Sequence, residues 1–335
     1  MNKILVVNIN WLGDAIFSTP VFAALKGAYP SAHVACLCVP RVAEVLAFCP
    51  DVDEIIIYDE KGRDRWPWNK LRLILQLRQK KFDAAFVLHR SMSRGLLVYL
   101  AGVPQRIGFG KAKVLLTHPI GSPSESIHRR DQYLKVIEKY GIAVPDRRCS
   151  LRLSEAPSKS ADEKLMARGI TAEDKFIVFN TGGNWDLKRW PVERWVGLTR
   201  YMHAHSKLKM VFSGAQTDHT TVKKIIEQAN VPAVNLAGQT TLGESLRVFA
   251  RAKVVVSADS GPLHLASSVG TKVVGIFGPT RPEITGPQGR GESDIVFKAV
   301  GCNKTPCYHL GCINNVCMKS IEVEDVGQVV QKFTG

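Results

Sequence analysis

No apolar run in this chain reaches the roughly 20 residues that span a bilayer, so no transmembrane helix is expected. No G-x-x-x-x-G-K-[ST] loop occurs, which excludes the phosphate cradle of P-loop proteins. The nearest approach to a dinucleotide fingerprint, GFGK at 108–111, lacks the third glycine and the strand–helix setting. No helix-turn-helix, RNA-binding or zinc-finger signature appears, and nucleic acid is not expected as a partner. The one D-x-D, Asp51 to Asp53, precedes an apolar run and reads as a turn, not a metal site. A signal peptide is imitated by Lys3 and the apolar stretch behind it. Asn8, Asn10 and Asp14 interrupt that stretch and no small-residue cleavage site follows cleanly, so it reads as a first strand in a cytoplasmic protein.

The chain does have length: 335 residues, comfortable for two domains. At 45% hydrophobic and 22% charged residues it reads as soluble and globular. Its charge is lopsided, with 45 Lys and Arg against 30 Asp and Glu, a net +15. Such an excess favours anionic partners, whether nucleic acid, an acidic membrane surface or a phosphorylated substrate. Basic residues recur at 61–81, 89–94 and 128–135, which concentrates them in the first half, although each segment read singly is also what a solvated helix face looks like.

Short apolar runs alternate with helical patterns: KILVVNI, HVACLCV, EIIIYDE and FDAAFVLH as strands, AIFSTPVFAALKGAYP, RVAEVLAFCP and WNKLRLILQLRQKK as helices. Nearly continuous β-branched strands alternating with helices predict parallel sheets covered on both faces. The rhythm lapses at 145–165, where Pro, Ser and charge rise, and restarts at FIVFN. The expected organisation is α/β, with domains 1–155 and 156–335. Ligands of such sheets bind beyond the carboxyl ends of the strands, so two facing domains would leave a cleft there.

Four strand-end loops of the second half carry chemistry. VVVSADSGPLHLASSVG (254–270) ends a strand at Asp259 and places Ser260, Gly261 and Pro262 at a helix start. This is either an ordinary capped helix or an anion site made by first-turn N–H groups. FNTGGNWDLKRWP (179–191) follows another strand with Lys188, a compact charge able to balance a diphosphate. FSGAQTDH (212–219) offers Asp218 to a ribose or sugar hydroxyl, and GIFGPTRPEITGP (275–287) is a fourth loop, rich in turn residues. In the first half, NWLGDAIFSTP puts Asp14 on a strand-to-helix turn, where it caps the helix or serves a site.

Together, NWLGDAIFSTPVFAALK, HRSMSRGLLVYLAGVPQRIGF, NTGGNWDLKRWP, NLAGQTTLGE and SADSGPLHLASSVGTKVVGIFGPT resemble, in order, the motifs of the glycosyltransferase family 9 heptosyltransferases. The resemblance covers nearly the whole chain. It implies a GT-B fold of two facing Rossmann-like domains, the first binding the acceptor and the second the nucleotide sugar, with the last helix packing back on the first. It implies inverting transfer of heptose from ADP-heptose to the inner core of lipopolysaccharide, with no cofactor and no metal. The enzyme would be a monomer in peripheral contact with the cytoplasmic face of the inner membrane.

Inversion requires a base opposite the leaving ADP, and the resemblance gives that role to Asp14, with Gly13 allowing close approach of the acceptor. The departing diphosphate needs positive stabilisation, assigned to Lys188 and to backbone donors from Ser260 to Leu263. The resemblance implies donor contacts at Asp259, Asp218 and Thr240, while Gly183 and Asn184 replace hydroxyl residues of some members. His264 falls in the first turn of the same helix, near the donor and packed. An anionic lipid-linked core oligosaccharide would account for the charge, with Arg90, Arg94 and His128, and then Arg129 and Arg130, as its candidates.

Cys302, Cys307, Cys312 and Cys317 stand five apart with His309 among them, open to a zinc or iron site or to four plain thiols; disulfides are not expected in a reducing compartment. Two other readings stay open: a family 9 enzyme using another nucleotide sugar or acceptor, and a non-catalytic nucleotide or nucleic-acid binder.

Overall fold

A computed structural model describes residues 1–302, 306–307 and 311–335. The chain divides into two compact units, Met1–Leu151 and Arg152–Gly335. The boundary expected at 155/156 falls at the start of the helix Glu155–Met166, which packs on the helix Leu242–Arg251 and so belongs wholly to the second unit.

The first unit holds strands β1 (Lys3–Val7), β2 (His33–Cys38), β3 (Glu54–Ile57), β4 (Ala84–Val87), β5 (Gln105–Gly108) and β6 (His118–Pro119). They form one parallel sheet in the order β3-β2-β1-β4-β5-β6. The second unit repeats the plan with β7 (Phe176–Asn180), β8 (Lys209–Ser213), β9 (Val234–Asn235), β10 (Val254–Ala258), β11 (Val273–Phe277) and β12 (Ser293–Phe297), ordered β12-β11-β10-β7-β8-β9. Each order is the doubly wound Rossmann arrangement, in which the chain reverses its direction of travel between the first and fourth strands of the unit. The reversal separates the loops that follow those two strands and opens a crevice at their carboxyl ends.

Sequence dictates which strands lie there. Every residue of β7, β10 and β11 is buried, as are all of β4 and four of the five in β1, so the central strands show no alternation and need apolar cover on both faces. Burying each valine of β10 contributes about 1.5–3 kcal/mol. The edge strands β6 and β12, and β5 next to the edge, read differently: they mix polar with apolar residues and escape the alternation visible in sequence. The last helix, Val323–Thr334, places Val326, Val330 and Phe333 in the core of the second unit and packs on the helix Val192–His205.

Candidate active site

In the second unit the reversal lies between β7 and β10. Beyond β10 stands Asp259, 4% exposed, where the helix Gly261–Ser268 begins; Pro262 in its first turn suits a missing N–H. Beyond β7 the loop runs through Gly182 and Gly183 to a single 3₁₀ turn, Asp186–Lys188. The two loops meet: Lys188 Nζ donates to Asp259 Oδ2 at 2.7 Å. The hydroxyls of Thr280 and Thr285, from the loop after β11, donate to the same oxygen at 2.7 and 3.2 Å, and His264 Nε2 lies 3.5 Å from Oδ1. Burial by itself would raise the carboxyl's pKa. The His264 hydrogen bond and the Lys188 charge outweigh it and hold Asp259 far below the usual carboxylate range. Asp259 is therefore an anion fixed by four side chains, and Lys188, 22% exposed, is a cation already countered from behind.

The neighbouring expectations divide. Gly183 and Ser260 do come together, since a Cβ on Gly183 would sit 3.9 Å from Ser260 Cβ, and Asn184 is exposed beside them. The series of backbone donors from Ser260 to Leu263 is shorter than expected: Pro262 has no N–H, and that of Leu263 is spent on Ser260 O. His264 is packed in the protein against Asp259. Asp218 is not available to a sugar hydroxyl. It is 3% exposed, accepts from Arg189 Nη1 at 3.0 Å and from Ala215 N at 2.9 Å, and a Cβ on Gly182 would lie 2.2 Å from its Oδ2. Arg189 also donates to Gly183 O at 3.0 Å, so the Asp218–Arg189 pair shapes the glycine loop from beneath. Thr240, half-buried, shares a hydrogen bond with Ser245.

In the first unit the reversal lies between β1 and β4. Asp14 is the third residue of the helix Leu12–Phe17 that follows β1, just behind Gly13, and it is half-buried. Its Oδ1 accepts from the Tyr133 hydroxyl at 2.7 Å. Burial first, and then the Asp14 charge, push the Tyr133 pKa well up, so this phenol keeps its proton and remains a donor. Tyr133 sits on the helix Arg129–Glu138, which His128 caps by accepting from Arg130 N at 3.0 Å. The His128 ring meets Phe17, on the Asp14 helix, edge to face at 4.8 Å. His128 was expected to touch acceptor; it is buried and braces the turn that carries Asp14.

Arg94 departs further from expectation. It is 1% exposed, 3.3 Å from Glu60, 3.1 Å from Asn10 Oδ1 and stacked over the Tyr58 ring at 4.3 Å. Arg90 stays partly accessible, paired with Glu125 at 2.5 Å and Gln132 at 3.0 Å. His89 has its pKa lowered by burial and then by the Arg94 charge, which leaves it neutral at pH 7. Arg129 and Arg130 begin the capped helix, and Arg130 pairs with Asp131.

Thr280, Thr285, Arg189, Tyr133 and Glu60 are the residues that sequence reasoning missed. The first three stand in quoted loops; Tyr133 and Glu60 carry no local signal, because each reaches its partner only through the fold. Of the four late cysteines, Cys302 is exposed, the other three are half-buried and none is in a disulfide; among the described residues no three His, Cys, Asp or Glu gather as a metal site. His309 lies outside the described residues.

Comparison with known proteins identifies the fold and the family. The lipopolysaccharide heptosyltransferase 2 of Salmonella typhimurium is 26% identical over 302 residues, 85% of each chain. The crystal structure of a family 9 glycosyltransferase from Veillonella parvula superposes with a TM-score of 0.87 at 25% identity, covering 99% of this chain and 97% of that one. The Escherichia coli ADP-heptose lps heptosyltransferase II structure gives 0.80 at 24% identity, covering 99% and 98%. The two doubly wound parallel sheets are those of the GT-B fold. The model of glycosyltransferase family 9 (heptosyltransferase) matches residues 70–317, three-quarters of the chain, and this protein is a glycosyltransferase belonging to that family.

Proposed function

We propose that this enzyme transfers L-glycero-D-manno-heptose from ADP-heptose to the inner core of lipopolysaccharide, with inversion and with Asp14 as general base. The observation that carries the reading is the pair of sites at equivalent places in the two sheets, a half-buried carboxylate held by Tyr133 and a Lys188–Asp259 pair beside a helix start. The names of the relatives supply the sugar, the nucleotide and the acceptor.

Transfer needs three things from the chain. A hydroxyl of the acceptor attacks the anomeric carbon opposite the diphosphate; its C–O bond forms as the bond from that carbon to the phosphate oxygen breaks, and ADP leaves with the electron pair. The hydroxyl proton passes to Asp14, whose half-buried carboxylate stands just behind Gly13. Charge growing on ADP is met by Lys188. Asp259, by holding Lys188 through Oδ2, fixes where that cation points before the donor arrives. Both oxygens of Asp259 are engaged within the protein, Oδ2 by Lys188, Thr280 and Thr285 and Oδ1 by His264, so on this reading it serves the donor through Lys188 and not through the sugar hydroxyls first expected. Donor and acceptor suffice on this reading, with no metal or cofactor. The acceptor, an anionic lipid-linked oligosaccharide, lies at the cytoplasmic face of the inner membrane, where Arg90 and the basic first half favour it.

Release of ADP from ADP-heptose with a lipid-core acceptor tests the reading. Asp14→Asn is expected to lower turnover by about 10²–10⁴ while leaving ADP binding intact. Unchanged turnover removes Asp14 as base. Turnover of a different nucleotide sugar alone supports the second enzymatic reading instead.

A further inference from the structure

We infer that the outer faces of the helices Pro67–Lys80 and Met92–Leu100 form a docking surface for an anionic lipid bilayer. The two helices touch within the first unit. On the first, Leu73 and Leu77 point to the core. At about 100° per residue, Trp68, Leu71 and Leu75 fall within a single 60° arc on the opposite side. All three are exposed, Trp68 at 79%. An amphipathic helix has one apolar stripe for its core, and this one has two. On the second helix Met92, Leu96, Tyr99 and Leu100 are likewise exposed, opposite the buried Leu97 and Val98. Apolar surface gathered in this way marks a binding face, whereas singly scattered apolar residues do not.

Charge selects the occupant. Arg72 and Arg78 flank the Trp68–Leu71–Leu75 arc on its two sides; both are exposed and neither forms an ion pair among the described residues. Between 61 and 115 the sequence has thirteen Lys and Arg and two acids, Asp64 and Asp83. Asp64 is buried against Arg63, and Asp83 binds the backbone of Asn2 and Lys3. A second copy of this chain would set basic rim against basic rim. Anionic headgroups match the rim, Trp and Tyr suit the interfacial layer, and leucines suit the acyl boundary. Among the described residues no helix is long and apolar enough to cross a membrane, so the contact is one of lying on the surface. The proposal rests on the functional reading above in one respect, that a lipid-linked acceptor is found in such a bilayer.

Co-sedimentation of the full chain with phosphatidylglycerol-containing vesicles, against pure phosphatidylcholine, tests it. Wild type is expected to bind the anionic vesicles and to lose binding as salt rises. Trp68→Ser/Leu71→Ser/Leu75→Ser should weaken partition by about tenfold or more, and Arg72→Gln/Arg78→Gln by about fivefold for each charge. Because these side chains are exposed, both variants should melt with the wild type. Wild type that stays in the supernatant, or a triple-serine variant that sediments like wild type, overturns the proposal. So does a concentration-dependent dimer abolished by the serines without vesicle binding, which would make a second copy the occupant. Sugar transfer to a detergent-solubilised acceptor is measured separately: its loss in wild type with intact vesicle binding refutes the functional reading and leaves the docking surface standing.

Discussion

Lys188→Met and Asp259→Asn each break the same 2.7 Å contact, yet the structure predicts unequal costs. Methionine keeps much of the lysine's bulk and deletes its charge. It leaves the Asp259 carboxylate 4% exposed, with Thr280, Thr285 and His264 but no lysine. Uncompensating a buried charge costs about 3–5 kcal/mol. The hydroxyl donors that remain reduce this to about 2–4 kcal/mol. Asparagine keeps the shape and removes the buried charge; the ammonium left behind is 22% exposed and can hydrate. That variant should lose about 1–2 kcal/mol, and the double variant less than the sum of the two. For the second unit each kcal/mol is worth about 2–4 °C, so calorimetry should place the lysine variant several degrees below the asparagine one.

The sign of the pH dependence follows from the depressed Asp259 pKa. A carboxyl held lower in the folded than in the unfolded chain contributes stability that is fully present above its unfolded value of about 3.9, and that is lost as pH falls toward the folded value. The gap between wild type and Asp259→Asn should therefore be level from pH 8 to about 5 and close below about 4. Melts showing Asp259→Asn to be the costlier change at pH 7, or a gap that widens on acidification, would refute this account of the pair.

Two further outcomes concern supports of the site. Tyr133→Phe removes the donor to Asp14 and keeps the ring packed, so turnover should fall several-fold with a stability loss of about 1 kcal/mol, read by ADP release and thermal melts; wild-type turnover would deny Tyr133 a positioning role. Gly182→Ala drives a Cβ to 2.2 Å from Asp218 Oδ2, whereas Gly183→Ala meets nothing nearer than 3.9 Å, so the first should raise the donor KM and destabilise by about 2 kcal/mol more than the second; equal melts would sink the argument.

Much of the fold was legible because the central strands are continuous apolar runs and their loops begin with Gly, Pro and Asp. Edge strands were not, since β6 and β9 are two residues each and leave no periodicity to read. For the site, the sequence put Asp14, Lys188 and Asp259 just after strands, where the structure has them, and their roles belong to the proposal above. It was misread where the direction of a side chain decides: Asp218 and Arg94 look alike on paper to solvated charges, and the fold turns both inward onto Arg189 and Glu60. Spacing along the chain cannot show a partner 29 or 34 positions away.

The two units place opposite charges at the same point of one topology. In the first, the helix after the opening strand carries the acid, Asp14, and the segment after the fourth strand carries Arg90 and Arg94. In the second, the opening strand is followed by Lys188 and Arg189, and the fourth by the acid, Asp259. What separates the two acids is burial. Asp259 is sealed in and matched to a lysine, so its charge is permanent across neutral pH and suits it to hold a cation in place. Asp14 is half-open and accepts from a phenol that keeps its own proton, which orients the carboxylate and leaves it reachable. A group that must receive a proton from a substrate needs the second environment, and a group that must never receive one needs the first.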